Sequence, residues 1–195
     1  MKSVLISIKP KWCELIASGK KTIEVRKTRP KIETPFKCYI YESRNGGHRC
    51  KHCKEKDDCY YYAPKNVGCY NGRGRIIGEF VCDEVGEINK CVKALSNSLY
   101  GFETGSLEES CLTEKEIDDY LNGEKGYGWH ISDLKIYDKP KELSEFLCKC
   151  NKKYCTGCED FCDEGKTSFR MCGGLKVVTR PPQSWSYVEE LEEEK

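Results

Sequence analysis

Nowhere does this chain of 195 residues carry an apolar run that could cross a bilayer, which takes ~20 residues in a helix. A helical membrane anchor is therefore not expected. The first apolar stretch, Val4 to Ile8, is shorter than the core of a secretory signal and runs straight into lysines, so secretion is not expected and a cytoplasmic location is. An excess of charge is missing as well. The 33 basic residues face 32 acidic ones, a formal +1, which excludes a uniformly basic nucleic-acid binder while leaving local fields open. An even number of cysteines is also missing. There are 15, so complete pairing within one chain is impossible. With no export signal beside them, they point to thiols and metal sites rather than to a disulfide scaffold.

With 33% charged and 38% hydrophobic residues, the composition suits one medium-sized domain with a real core, or a small domain carrying insertions. Charge is spread unevenly. From Lys9 to Lys37 nine Lys or Arg face three Glu, +6 in one stretch, whereas Glu189, Glu190, Glu192, Glu193 and Glu194 gather just before Lys195. That acidic end reads as a solvated tail.

The basic stretch also has the clearest local pattern. Pro10 suits the first turn of a helix, where its missing N–H would have had no partner. Trp12, Leu15 and Ile16 recur at helical spacing, and Gly19 can supply the left-handed residue that ends the helix. Thr22, Glu24 and Arg26 then alternate with Ile23 and Val25, the period of a half-buried strand. Ile23 and Val25 are expected to face a core, with Glu24 and Arg26 on the other side. Two residues along a strand span about 6.6 Å, within reach for Arg26 to pair with Glu24, and Lys21 enters from the strand's start. On periodicity alone, the three charges read as a solvated ion-pair cluster.

Further strands are expected over Lys37 to Glu42, with Cys38 and Ile40 on one face and Tyr39 and Tyr41 on the other, over Ile76 to Asp83, over Ile131 to Tyr137 and over Ser184 to Val188. The last would close a barrel and remove its edge. Thr113-x-x-Glu116 is a capping box that opens a helix ended by Asn122-Gly123. Short helices are expected around Lys90 to Leu95 and Glu142 to Phe146. Tyr127 and Trp129, near the expected barrel mouth, could stack on a base or belong to the core. His130 beside them reads as a satisfied barrel residue rather than a general base.

Two stretches lack periodicity and are rich in cysteine. Between Ser43 and Arg75, Cys50-x-x-Cys53 has the spacing that lets two sulfurs reach one tetrahedral zinc, with Cys59 and Cys69, or His48 or His52, to complete the set. A reduced CxxC in a hairpin is the equal alternative. Cys148, Cys150, Cys155, Cys158, Cys162 and Cys172 crowd one 25-residue stretch, enough for a closed structural zinc site with four thiolates from the six. An iron–sulfur cluster is the second choice of metal.

Gly19-x-Lys21-x-x-Glu24-x-Arg26, preceded by Ile8-Lys9-Pro10 and followed by Arg29-Pro30, resembles the signature of the ASCH domain family, a branch of the PUA-like superfamily. The segments IIGEFVCD, GYGWHISDLKIYDKPKELSEF and RPPQSW…YVEE extend the resemblance, which is to a group found in Gram-positive bacteria and their phages. It implies an α+β fold, a PUA-like mixed β-barrel flanked by short helices. The whole chain would then form a single domain, 1–195, with Cys-rich insertions at about 43–75 and 148–172. It further implies a cleft lined by Lys21, Glu24 and Arg26, with Lys9, Arg29, Tyr127 and Trp129 as further ligand contacts, and a role in binding RNA or a modified nucleotide. Two alternatives remain open. One is a hydrolase acting on an acylated nucleoside or RNA, an amidohydrolase or ribonuclease with Lys21 as base and Glu24 assisting. The family's amidohydrolases place a threonine nucleophile where Glu24 stands, and Thr22 does not match that position. Glu79 is the loose counterpart of their acidic residue. The other alternative is a zinc-stabilised module that binds a protein partner through the Cys-rich insertions.

Overall fold

Strand β1 (Lys2–Ile8) reads KSVLISI, apolar on both faces, as expected of a strand inside a sheet covered on both sides. The computed structural model describes residues 2–44, 74–91, 99–150 and 174–191, and in it β1 is that strand. Strand β3 (Phe36–Glu42) lies parallel to it. Parallel neighbours need a crossover, and α1 (Pro10–Ala17) with β2 (Ile23–Arg26) provides it. Strands β4 (Ile76–Cys82) and β8 (Ser132–Lys141) extend the sheet beyond β3, and β11 (Trp185–Glu189) pairs antiparallel with the free side of β1.

A second sheet holds four strands in the order β2, β7 (Gly126–His130), β5 (Val85–Lys90) and β6 (Tyr100–Phe102). A ribbon of β9 (Leu147–Lys149) and β10 (Leu175–Val177) forms a third sheet, hydrogen-bonded to neither, with Cys148 packed on the Leu5 and Tyr39 cluster. The capping box is formed. Thr113 accepts from the Glu116 amide while Glu116 reaches back to the Thr113 amide, opening α2 (Glu114–Leu121), and Asn122 ends it in the left-handed conformation at φ +56°.

Three apolar clusters set the layers. Val4, Ile6, Ile8, Phe36, Cys38, Ile40 and Phe80 meet Trp129 between the two sheets, with Cys13 and Ile16 of α1 closing the side. Leu5, Tyr39, Tyr41 and Ile76 pack on the opposite face of the five-stranded sheet with Phe146 and Val178. Ile23, Val25 and Ile88 pack from the far side of the four-stranded sheet on Ile117 and Leu121 of α2.

The expected α+β architecture is present. No closed barrel forms among the described residues, whose strands pair into three separate sheets with β11 as an edge strand paired with β1. The strand expected to stop before Lys139-Pro140 runs through Pro140 to Lys141. It can do so because β8 is also an edge, where a missing amide donor leaves no neighbour unpaired. The helix expected from Glu142 is a single 3-10 turn, Leu143–Glu145. Lys90, expected to open a helix, ends β5. Both Cys-rich stretches lie mainly outside the described residues, as do Cys50, Cys53, Cys59, Cys69, Cys155, Cys158, Cys162 and Cys172.

Candidate functional site

The expected strand of alternating charge is present, but all four residues of β2 are buried. Ile23 and Val25 face the core against α2, as the period requires. The other face is interior too: opposite residues on paired strands share a face, and Glu24 stands opposite the buried Trp129. The solvated cluster is therefore an enclosed one, with Lys21 2%, Glu24 6% and Arg26 7% exposed.

The end of α1 delivers the lysine. Gly19 takes φ +71°, and the amides of Lys20 and Lys21 both turn back to the Leu15 carbonyl at 2.9 and 3.0 Å, which aims Lys21 inward. Its Nζ donates to the carbonyls of Ile23 at 2.7 Å and Ser110 at 2.6 Å and lies 3.4 Å from Glu24 Oε2. Three acceptors match the three donors of an ammonium. Glu24 Oε1 in turn holds Arg26 Nη2 at 2.9 Å, and the same nitrogen donates to the Ser7 carbonyl at 2.7 Å. None of the described residues accepts from Arg26 Nε or from Trp129 Nε1.

Two parts of this site were not singled out from the sequence. The turn before α2 closes over the lysine: Ser110, fully buried, supplies a carbonyl, and Glu109 O takes the amides of Thr22 and Ile23 at 3.0 and 3.2 Å. Nothing in SLEESC signals that role, because backbone carbonyls do the work. Glu42, 3% exposed, ends β3 beside the cluster. Burial first, then the charges of Glu42 and Glu24, push the Cys13 thiol well above its ordinary range. Glu42 shares the strand parity of Cys38 and Ile40, the core face, and that parity was the available signal. Trp12 covers the lysine, with its ring centroid 5.3 Å from Lys21 Nζ.

The other candidates are scattered. Lys9 is an exposed residue capping α1 without a side-chain bond. Trp129 does not offer a stacking face, because it is 0% exposed and lies against Phe36 and Trp185 at 5.7 and 6.0 Å between ring centroids. Arg29 and the half-buried Tyr127 line a cleft of about 490 Å³ at the Arg26 end of β2. Glu79 bonds Tyr137 and neighbours Lys37, away from the cluster. His130 Nδ1 bonds Asp83 at 2.7 Å. Partial burial works against ionisation of Asp83, but the hydrogen bonds from His130, the Asp83 amide and Ser132 together outweigh it and lower the carboxyl's pKa. Of the proposed metal ligands, Cys148 is half-buried and Cys150 buried. Among the described residues no three His, Cys, Asp or Glu side chains gather as a metal site.

The fold has known counterparts. Crystal structures of an ASCH protein from Zymomonas mobilis superpose on the chain. A tyrosine-to-phenylalanine mutant does so with a TM-score of 0.52 at 17% identity, covering 97% of this chain and 92% of that one. The structure of the protein itself gives 0.51 at 17% identity, covering 96% and 88%. At such identity the likeness shows the fold. No curated protein sequence matches the chain. The family model of the ASCH domain matches residues 6–168, and with most of its length so matched the chain belongs to the ASCH domain family.

Proposed function

We propose that this protein binds RNA or a modified nucleotide, with Lys21, Glu24 and Arg26 supplying the recognition chemistry. The carrying observation is the enclosed cluster itself. Burying ion pairs is a poor route to stability, since desolvation offsets most of the Coulombic gain, so a fold that buries three charges on one strand turn invites a functional explanation. A base edge carries carbonyl and ring-nitrogen acceptors, which suit a donor without a protein acceptor such as Arg26 Nε. Membership of the ASCH family supports the same reading. Arg26 stands opposite Tyr127, which lines the cleft, and the proposal takes the ligand in past Lys27 and Tyr127.

The hydrolase reading finds less support. A general base needs a lone pair, and the Lys21 nitrogen is ringed by three acceptors. Titration of nucleosides and short RNAs into wild type and Lys21→Ala, scoring binding and product together, separates the two readings. Binding lost in the variant with no product from either protein is the expected result. Equal binding by both proteins sinks the proposal, and product formed by wild type alone favours the hydrolase. A structural zinc held by four of Cys148, Cys150, Cys155, Cys158, Cys162 and Cys172 remains part of the proposal, and elemental analysis of the purified chain is its check.

A further inference from the structure

The cleft at the end of β2 is built from a stretch that the enclosed cluster does not use. Lys27, Arg29 and Lys31 are exposed and line it, Lys125 joins them from just before β7, and Glu33 is the one carboxylate in the lining. Lys125 is already paired with Glu87 at 2.9 Å. Among the described residues none of Lys27, Arg29 and Lys31 forms an ion pair. Lys27 lies instead over the Tyr120 ring, 5.4 Å from its centroid.

These cations do not stand on a loose loop. Thr28 Oγ1 accepts from Trp185 Nε1 at 3.0 Å, the Lys31 amide donates to the Tyr187 hydroxyl at 2.6 Å, and Pro30 between them is buried. Two ties to β11 therefore fix residues 27–33 into a wall. Tyr127, half-buried, also lines the cleft, with the Lys125 ammonium over one side of its ring at 5.6 Å from the centroid, and Ile32 adds apolar surface. Cations along a groove with an aromatic wall match what single strands require: charge that tracks phosphates, and a flat face on which a base can stack.

We propose that this cleft is a track for the phosphodiester backbone of single-stranded RNA, leading from Lys31 past Arg29 and Lys27 to Arg26. The inference rests on the reading of the chain as an RNA binder and gives that function a polymeric ligand in place of a free nucleoside. An acidic peptide would use the cations but not the aromatic wall or the route to the cluster.

The test uses the full chain, with fluorescence anisotropy of a labelled single-stranded RNA at several salt concentrations and polyglutamate as a competitor. Lys27→Gln/Arg29→Gln/Lys31→Gln changes exposed side chains only, and circular dichroism checks that it folds. The expected result is a loss of RNA affinity of at least tenfold. The slope of log affinity on log salt should also flatten by about 2, since each neutralised phosphate of a single strand contributes roughly 0.7. Unaltered RNA affinity or salt slope in the triple variant overturns the track, as does polyglutamate competing as well as unlabelled RNA. The two readings fail separately. Normal RNA binding by the triple variant beside lost nucleoside binding in Lys21→Ala removes the track and keeps the cluster. The reverse pair of results keeps the track and removes the cluster.

Discussion

Glu24 touches both cations of the motif, Lys21 at 3.4 Å and Arg26 at 2.9 Å. Glu24→Ala leaves those cations enclosed without their shared counter-ion, and breaking a buried pair in this way costs about 3–5 kcal/mol. Urea unfolding should show that loss, whereas Lys11→Ala, which breaks an exposed pair with Glu116, should cost about 1 kcal/mol or less. Equal effects would mean that the cluster is better hydrated than its burial indicates. The alternation of Ile23 and Val25 with Glu24 and Arg26 was legible in the sequence, and so was the pairing. What lay beyond the far face was not legible. Period two separates the faces of a strand, but whether the second face meets water depends on chain far away, here β1 and Trp129.

Local signals at the ends of elements carried through well. Pro10 opens α1, Gly19 follows it at φ +71°, and the Thr113 capping box and Asn122 bound α2, because each rests on bonds within a few residues. Thr113→Ala removes one half of that box and should cost about 1 kcal/mol, read by thermal or urea unfolding. A change of a few tenths would show that the amides rely on solvent instead. Signals that depended on neighbours fared worse. Pro140 looked like a strand stop and is tolerated at an edge, and the final strand looked like the closure of a barrel and is itself an edge. Whether a strand is central or peripheral is a property of the sheet.

At the scale of the whole molecule, the buried thiols and phenols set an alkaline limit. Burial raises the Cys13 and Cys38 thiols far above the ordinary 9.0 and pushes Cys82 up to about 12. Burial also raises the Tyr39, Tyr41 and Tyr137 phenols above 10.0, and burial followed by the Asp118 hydrogen bond takes Tyr100 to about 12. Each group keeps its proton longer when folded. Its contribution is therefore intact below the unfolded value and is lost as the unfolded chain ionises above it. Stability should hold to about pH 9 and then fall, with the three thiols alone contributing roughly 4 kcal/mol per pH unit once they are ionised in the unfolded chain. Urea midpoints measured between pH 8 and 11 check this, and a flat profile would contradict the enclosure of those side chains.

The ties from Thr28 to Trp185 and from Lys31 to Tyr187 span 157 and 156 positions of sequence. During synthesis the cleft wall leaves the ribosome early, and the strand that fixes it comes out long afterwards. At ~5–20 residues per second the interval is ~8–30 s. Through that interval a nascent chain carries the basic stretch and Lys21 without the β11 ties. The cleft can reach its final shape only once β11 has docked beside β1, so RNA capture through it belongs to the finished protein and not to the growing one.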